Sequence, residues 1–321
     1  MAPPGGVAQN SQDLSYICAV ERELGKVMQS EAFRIRQLAP TFGAEASGVD
    51  LARTLGELEL EELVSILDRY GVVVFHAQHL TAAQQIAFSE QLGNLERSDE
   101  GSPTYEKLRG QHEFADERVS EVSNLVRGQD LMSDTDVRRL YQFANEVWHA
   151  DSTFRPVRAR YTVLSAVKVP ASGGNTEFAD VASAHDALAD DIKEEIRGLI
   201  GIHTPTTVME LLGVTRSDGG NFRSTYGSQR RPLVETHAGS GRTVMNVGSH
   251  CSHIEGRSLP EGRSLLFYLR EHATQPRFRY SHAWAPGDLV IWDNRSTLHR
   301  GVRYKERLEP RQLVRTVVQD R

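Results

Sequence analysis

Leu60, Leu63, Leu67 and Tyr70 recur at three- and four-residue spacing in LGELELEELVSILDRY (55–70), which predicts an amphipathic helix with one apolar face. GVVVF (71–75) follows with no polar position to alternate with, and predicts a short buried strand. TAAQQIAFSEQLG (81–93) opens on Thr81, carries Gln84 three residues later and stops at Gly93, the pattern of a capped second helix. ADDIKEEIRGLIGI (189–202) and EGRSLLFYLREHA (261–273) predict two more helices. YTVLSAVKV (161–169), NTEFAD (175–180), RTVMNV (242–247), RFRYSHAW (277–284), DLVIWD (288–293) and LVRTVV (313–318) predict strands, with PASGG (170–174) a turn after the first. Many short strands between turn residues point to a mainly β chain with helical insertions, a sandwich or barrel. No glycine-rich phosphate loop follows any of the strands, which argues against a doubly wound nucleotide fold.

The pattern weakens in two places. Residues 1–30 are small and polar apart from a short amphipathic stretch at 14–28, and are read as a flexible N-terminal extension to a single domain spanning 31–321. Residues 94–142 are polar and irregular, with a Gly/Pro break at 101–103. A long loop inside a compact enzyme is often a lid, so part of this segment is expected to be mobile and to order over a site; surface decoration is the alternative.

Composition narrows the function classes. The formal net charge is −6, with 25% charged residues, which offers no electrostatic reason to bind nucleic acid or an anionic membrane. No apolar run approaches the roughly 20 residues of a membrane helix, and the first residues lack the basic and apolar blocks of a secretory leader. The two cysteines, Cys18 and Cys251, make no disulfide framework. A cytoplasmic protein with a small-molecule partner is expected, and a homo-oligomer, dimer or tetramer, is compatible with these features.

NEVWHADSTF (145–154) places His149 and Asp151 two apart. On a strand they would share one face, with Cα atoms roughly 6.6 Å apart, and could hold a cation together. Chance alone supplies about as many His-x-acid pairs as the two present, the other being His253–Glu255, so the pair needs company. GDLVIWDNRSTLHRG (287–301) offers His299 at the end of an apolar strand. Two imidazoles and one carboxylate leave adjacent positions open on an octahedral metal, the pattern of non-haem Fe(II) oxygenases. In PRQLVRTVV (310–318), Arg311 and Arg315 are four apart and would face the same side, roughly 13 Å from each other. If they point inward they require anions; the alternative is a pair of surface arginines on an edge strand. SHCSHIEG (249–256) gathers His250, Cys251, His253 and Glu255, but alternating residues of a strand cannot converge on one zinc ion, and a structural role is expected. THAGSGRT (236–243) reads as a hairpin, with His237 and Arg242 structural.

Together WHADSTF (148–154), SGGNTEFAD (172–180), WDNRSTLHRG (292–301) and RQLVRT (311–316) resemble the taurine/chlorophenoxyacetate dioxygenase (TauD/TfdA) family of Fe(II)/2-oxoglutarate-dependent oxygenases. The likeness runs from FGAEASGVDL (42–51) to VRTVV (314–318), and FANEVWHADSTF, THAGSGR, HCSHIEG and EHATQ bring it nearest the chlorophenoxyacetate branch. The resemblance implies a double-stranded β-helix (jelly-roll, cupin-like) core. It implies His149, Asp151 and His299 as iron ligands, and Thr176 and Arg311 on the distal carboxylate of 2-oxoglutarate. Arg315 would lie by the iron, near the cosubstrate's C1 carboxylate or a substrate acid group, and Asn145 would line the substrate pocket. The implied reaction consumes O2 and 2-oxoglutarate, releases succinate and CO2, and hydroxylates or oxidatively cleaves a small acid-bearing substrate. There are departures. The His299–Arg311 spacing of 12 is one longer than is usual in the family, and GNLERSDEG (93–101) has no His of the kind the taurine branch uses to grip a sulfonate. A metal-dependent hydrolase or isomerase on the same barrel, or an inactive ligand-binding sensor, are the competing expectations; succinate formation separates them.

Overall fold

Val72–Phe75 and Leu289–Asp293 are buried at every position. Strands without a polar face are stable only in the middle of a sheet covered on both sides. In the computed structural model, which describes residues 27–29, 32–97, 116–127, 129–136, 138–213 and 227–320, they pair antiparallel with Val74 opposite Val290. They form the centre of an eight-stranded sheet ordered Val27–Gln29, Arg34–Gln37, Ala44–Ser47, Val72–Phe75, Leu289–Asp293, Ala159–Lys168, Gln312–Gln319, Ser120–Ser123. A three-stranded sheet, Arg279–His282, Thr176–Asp180 and Thr297–Gly301, lies against it. Phe178 of the small sheet meets Trp292 of the large one edge-on at 5.4 Å, and both belong to a cluster with Leu164, Val290 and Leu313. This sandwich is the expected double-stranded β-helix.

Strand alternation decides what covers the other face of the large sheet. Val73, Phe75 and Ile291 point away from Phe178 and pack beneath Leu63, Leu67, Phe88 and Leu92 of the helices Glu57–Tyr70 and Ala82–Leu92. The second helix is capped as the sequence predicts, Thr81 and Gln84 satisfying each other's backbone N–H groups, and the first is capped by Glu59, whose Oε2 accepts from the Gly56 N–H at 2.8 Å. A third cluster seats Leu265, Leu266 and Leu269 of the helix Leu259–Ala273 on Ile254 and Val247, backing the small sheet. Among the described residues no helix is long and apolar enough to cross a membrane.

Four expectations change. The helix expected over 189–202 runs only over Asp190–Ile196; Gly198 at φ +73° turns the chain, and Ile200–His203 is a strand between Gln229–Pro232 and Cys251–Ile254. A Cβ on Gly201 would stand 2.7 Å from Cys251 Sγ, so the second glycine of GLIGI admits the neighbouring strand. In RFRYSHAW, Pro276–Phe278 is a short 3-10 turn and the strand starts at Arg279. Within 94–142, Ser120–Ser123 is a strand on the sheet edge, paired with 312–315, rather than an irregular loop. Of the 94–142 segment, part of which is expected to form a mobile lid, residues 98–115 lie outside the described residues. Val27–Gln29 pairs with Arg34–Gln37, so the sheet starts within the expected 1–30 extension; residues 1–26 also lie outside the described ones.

Candidate metal centre

His299 sits in the small sheet opposite Phe178. His149 joins it by a single antiparallel bridge, each backbone N–H donating to the other's carbonyl at 3.0 and 2.8 Å. That bridge sets the two imidazoles side by side, ring centroids 4.1 Å apart. The regular strand expected to align His149 with Asp151 is not present: beyond the bridge the chain turns through 151–154, with Ser152 in the left-handed region at φ +52°. The turn returns the Asp151 carboxylate toward both rings, Oδ1 at 3.9 Å from His149 Nε2 and Oδ2 at 3.7 Å from His299 Nε2. All three side chains are buried, with one candidate ligand atom from each within 4.8 Å of the others.

Hydrogen bonds orient the set. His149 Nδ1 donates to the Val147 carbonyl at 2.7 Å, so Nε2 keeps its lone pair and faces Asp151. The Thr162 hydroxyl donates to Asp151 Oδ2 at 2.7 Å and accepts from Asn294 Nδ2 at 2.9 Å. Asn294 Oδ1 accepts from the Asp151 N–H at 3.0 Å and from Trp292 Nε1 at 3.1 Å. Neither Thr162 nor Asn294 stands out in the sequence as a site residue. The WDNR motif carries the only signal: Asn294 holds the turn that carries Asp151, and Trp292, two residues before it, holds Asn294.

Burial lowers the pKa of His149 and drives that of His299 well below the ordinary imidazole value, so both present neutral rings. Burial also penalises charge on Asp151, yet its carboxyl is held below the usual carboxylate range by the electrostatic pull of the His299, Arg315 and His149 side chains and by the Thr162 hydroxyl. Of these, Arg315 is the permanent cation: Nη1 lies 3.4 Å from Asp151 Oδ1 while Nε donates to Ser120 Oγ at 3.0 Å. One anion and two neutral imidazoles suit a divalent ion and leave a net charge near +1.

Arg311 is set apart. It is buried, its Nε donates to the Gly174 carbonyl at 3.0 Å, and it pairs with no carboxylate among the described residues. Burial pushes its pKa down from 12.5 to about 10. Gly174, at φ +68°, lets the guanidinium lie against the turn, since a Cβ there would stand 3.3 Å from Arg311 Cδ and 2.8 Å from Pro170 Cγ. An open cleft brings together His149, His299, Thr176, Arg311, Arg315 and Asn145, with Asp151 against Arg315. Asn145 ends the helix Arg139–Asn145 at the mouth, where Arg303 pairs with Glu146 at 2.6 Å and Arg139 with Glu306.

The other clusters are structural. His253 bonds the Ser252 hydroxyl and Glu255 pairs with Arg230, while His250 packs edge-on to Phe154 at 4.7 Å; they do not converge. Asp68, His237 and Asp293 lie close enough for an ion. The Arg295 guanidinium already donates to both Asp293 oxygens at 2.9 and 2.6 Å, and His237 Nε2 bonds Asp293 Oδ2 at 3.0 Å, so that charge is met from within the protein. His237 closes the hairpin Val234–Thr236/Thr243–Met245, and Arg242 pairs with Asp186.

Residues 34–317 match the family model described as the taurine catabolism dioxygenase TauD, TfdA family. The alpha-ketoglutarate-dependent 2,4-dichlorophenoxyacetate dioxygenase of Cupriavidus pinatubonensis is 42% identical over 268 residues, covering 83% of this chain and 91% of that protein. The (S)-phenoxypropionate/alpha-ketoglutarate-dioxygenase of Sphingobium herbicidovorans is 38% identical over 279 residues, covering 84% and 90%. Among solved structures, AAD-2 in complex with Mn(II) and N-oxalylglycine aligns with a TM-score of 0.82 at 39% identity, covering 90% of this chain and 98% of that one.

Proposed function

Since the chain belongs to the TauD/TfdA family and is an Fe(II)- and 2-oxoglutarate-dependent dioxygenase, we propose that His149, Asp151 and His299 hold its iron and that Arg311 and Thr176 grip the distal carboxylate of 2-oxoglutarate. The observation that carries this reading is Arg311, a buried guanidinium facing the cleft with no carboxylate of the described chain beside it. A buried cation persists when a ligand supplies its counter-charge, and a planar fork suits a carboxylate.

When bound, the iron activates O2 at the expense of 2-oxoglutarate, which leaves as succinate and CO2, and the oxidising equivalent inserts oxygen into a substrate C–H bond. The chain's own residues supply charge and position. Neutral His149 and His299 with ionised Asp151 keep the centre cationic, which favours an anionic chelating cosubstrate. Arg315, beside Asp151, is the cation nearest the centre for a substrate acid group, and Asn145 stands at the mouth. Val122, Leu164 and Trp292 give the cleft apolar wall against which a substrate body can pack.

We infer a small acid with an apolar body, of the aryloxyalkanoate class. Relatives named for 2,4-dichlorophenoxyacetate and (S)-phenoxypropionate support this reading. Oxygen inserted at the carbon bearing the ether oxygen gives a hemiacetal, which collapses to a phenol and an oxoacid. A cytoplasmic location and no nucleic-acid or membrane partner fit the net charge of −6 and the sparing use of cysteine.

The test incubates the protein with Fe(II), ascorbate, 2-oxoglutarate and a panel of aryloxyacetates, aryloxypropionates, alkyl sulfonates and amino acids. Succinate and phenol in equal amounts with the aryloxy acids are expected. Preference for a sulfonate or an amino acid would overturn the substrate class.

A further inference from the structure

We propose that Trp284 is a positioning residue for 2-oxoglutarate: its indole N–H fixes the Thr176 hydroxyl as a hydrogen-bond donor toward the distal carboxylate. The inference rests on the reading that Arg311 and Thr176 hold that carboxylate.

Strand register brings the two residues together. His282 lies opposite Thr176 across the small sheet, and the chain then leaves the strand. Two residues later Trp284 Nε1 donates to Thr176 Oγ1 at 3.0 Å. An indole N–H can only donate, whereas a threonine hydroxyl has one proton and two lone pairs. With one lone pair committed to Trp284, the hydroxyl proton must point elsewhere, and no described group of the protein accepts it. Thr176 lines the cleft with Arg311, whereas Trp284 meets Thr176 from outside that lining. The Thr176 O–H and the Arg311 guanidinium then both offer donors to the cleft. Such a surface selects an acceptor-only group, which a carboxylate is.

Trp284 is itself held. The His282 ring stands edge-on to it at 4.6 Å, and His282 Nε2 bonds Asp288 Oδ2 at 3.0 Å. The same Asp288 oxygen accepts the Ala285 N–H at 2.9 Å, while Oδ1 bonds His76 Nδ1 at 2.7 Å. One buried carboxylate thus ties the residues on both flanks of Trp284. Thr176 was legible in the sequence, but its partner was not, because 108 residues separate them.

The experiment measures binding of 2-oxoglutarate and of oxalate by calorimetry to the Zn(II)-loaded protein. Oxalate serves as a chelator with no distal carboxylate. Wild type, Thr176→Val, Trp284→Phe and the double variant are compared, with Arg311→Lys as a check on the underlying reading. Trp284→Phe is expected to weaken 2-oxoglutarate roughly 3- to 10-fold, leave oxalate unchanged, and add nothing to Thr176→Val. An equal loss in both threonine backgrounds, an equal loss for oxalate, or no loss at all would overturn the role. If Arg311→Lys and Thr176→Val both leave 2-oxoglutarate affinity intact, the carboxylate reading has failed; if both weaken it and Trp284→Phe does not, only this inference has failed. A measurement on the unsubstituted protein guards against a misfolded variant. In nitrogen-15 spectra, the Trp284 indole resonance should shift on adding 2-oxoglutarate and hold still on adding oxalate, and a resonance indifferent to both would count against the proposal.

Discussion

Replacing Arg311 by Met should move two quantities in opposite directions. Methionine matches the length of arginine without its charge and fills irregular space well. In the protein without cosubstrate, the guanidinium is buried with one hydrogen bond, to Gly174, and no paired carboxylate among the described residues. The fall of its pKa from 12.5 to about 10 is equivalent to roughly 3 kcal/mol against the charged form. Arg311→Met removes that cost but leaves the Gly174 carbonyl without its donor, worth about 1–3 kcal/mol. The net is a protein as stable as wild type or more stable by ~1–2 kcal/mol, a rise in Tm of up to several degrees. The ligand side is larger and of opposite sign. Truncating one partner of a buried charge pair costs ~2–5 kcal/mol, or roughly 30- to several-thousand-fold in affinity. Thermal unfolding of the Mn(II)-loaded protein with and without 2-oxoglutarate reads both effects. Wild type should gain ~2.7 kcal/mol of stability at a ligand concentration 100 times its Kd, and Arg311→Met should gain about 0.9 kcal/mol or less at that concentration. A variant that melts several degrees lower without ligand yet keeps the ligand-induced rise would refute the reasoning.

Thr162→Val removes the hydroxyl that donates to Asp151 Oδ2, and should weaken Mn(II) binding roughly 10- to 100-fold while Thr162→Ser stays near wild type; unchanged binding in a calorimetric titration would discount the Trp292–Asn294–Thr162 chain. His203 is fully buried, and burial with neighbouring positive groups pushes its pKa from 6.5 to about 3. The unfolded chain therefore takes up the proton first, and this contribution to stability, complete above pH 6.5, is lost as pH falls toward 3. Between pH 7 and 5.5 it should cost about 1 kcal/mol in urea unfolding of the metal-free protein, and His203→Gln should show a correspondingly shallower decline than wild type. Parallel declines in the two proteins would rule His203 out as a source.

The fold was legible where the sequence pattern and the burial agree. GVVVF and DLVIWD lack a polar face because both faces of their strands are covered, and the capping residues at Thr81 and Gln84 mark a helix by local chemistry alone. The ADDIKEEI stretch sets up a helical expectation that the two glycines of GLIGI cut short, and which strands they admit is a tertiary fact. His149, Asp151 and His299 could be named from separate motifs, but not the way they meet. A bridge between residues 150 apart and a turn at Ser152 align them, rather than the regular strand that the two-residue spacing suggests. Thr162 and Trp284 were beyond reach for the same reason, and Asn294 was marked only by its place in WDNR. Each matters only through a register that brings distant strands into contact.

The central claim, that one divalent ion is held by His149, Asp151 and His299, is tested most directly by titrating Mn(II) into the metal-free protein and following free Mn(II) by electron paramagnetic resonance. Wild type should bind one equivalent, Asp151→Ala should lose it, and His237→Ala, in the cluster already neutralised by Arg295, should keep it. Wild-type binding in Asp151→Ala, with loss in His237→Ala, would move the metal to the other cluster and contradict the account.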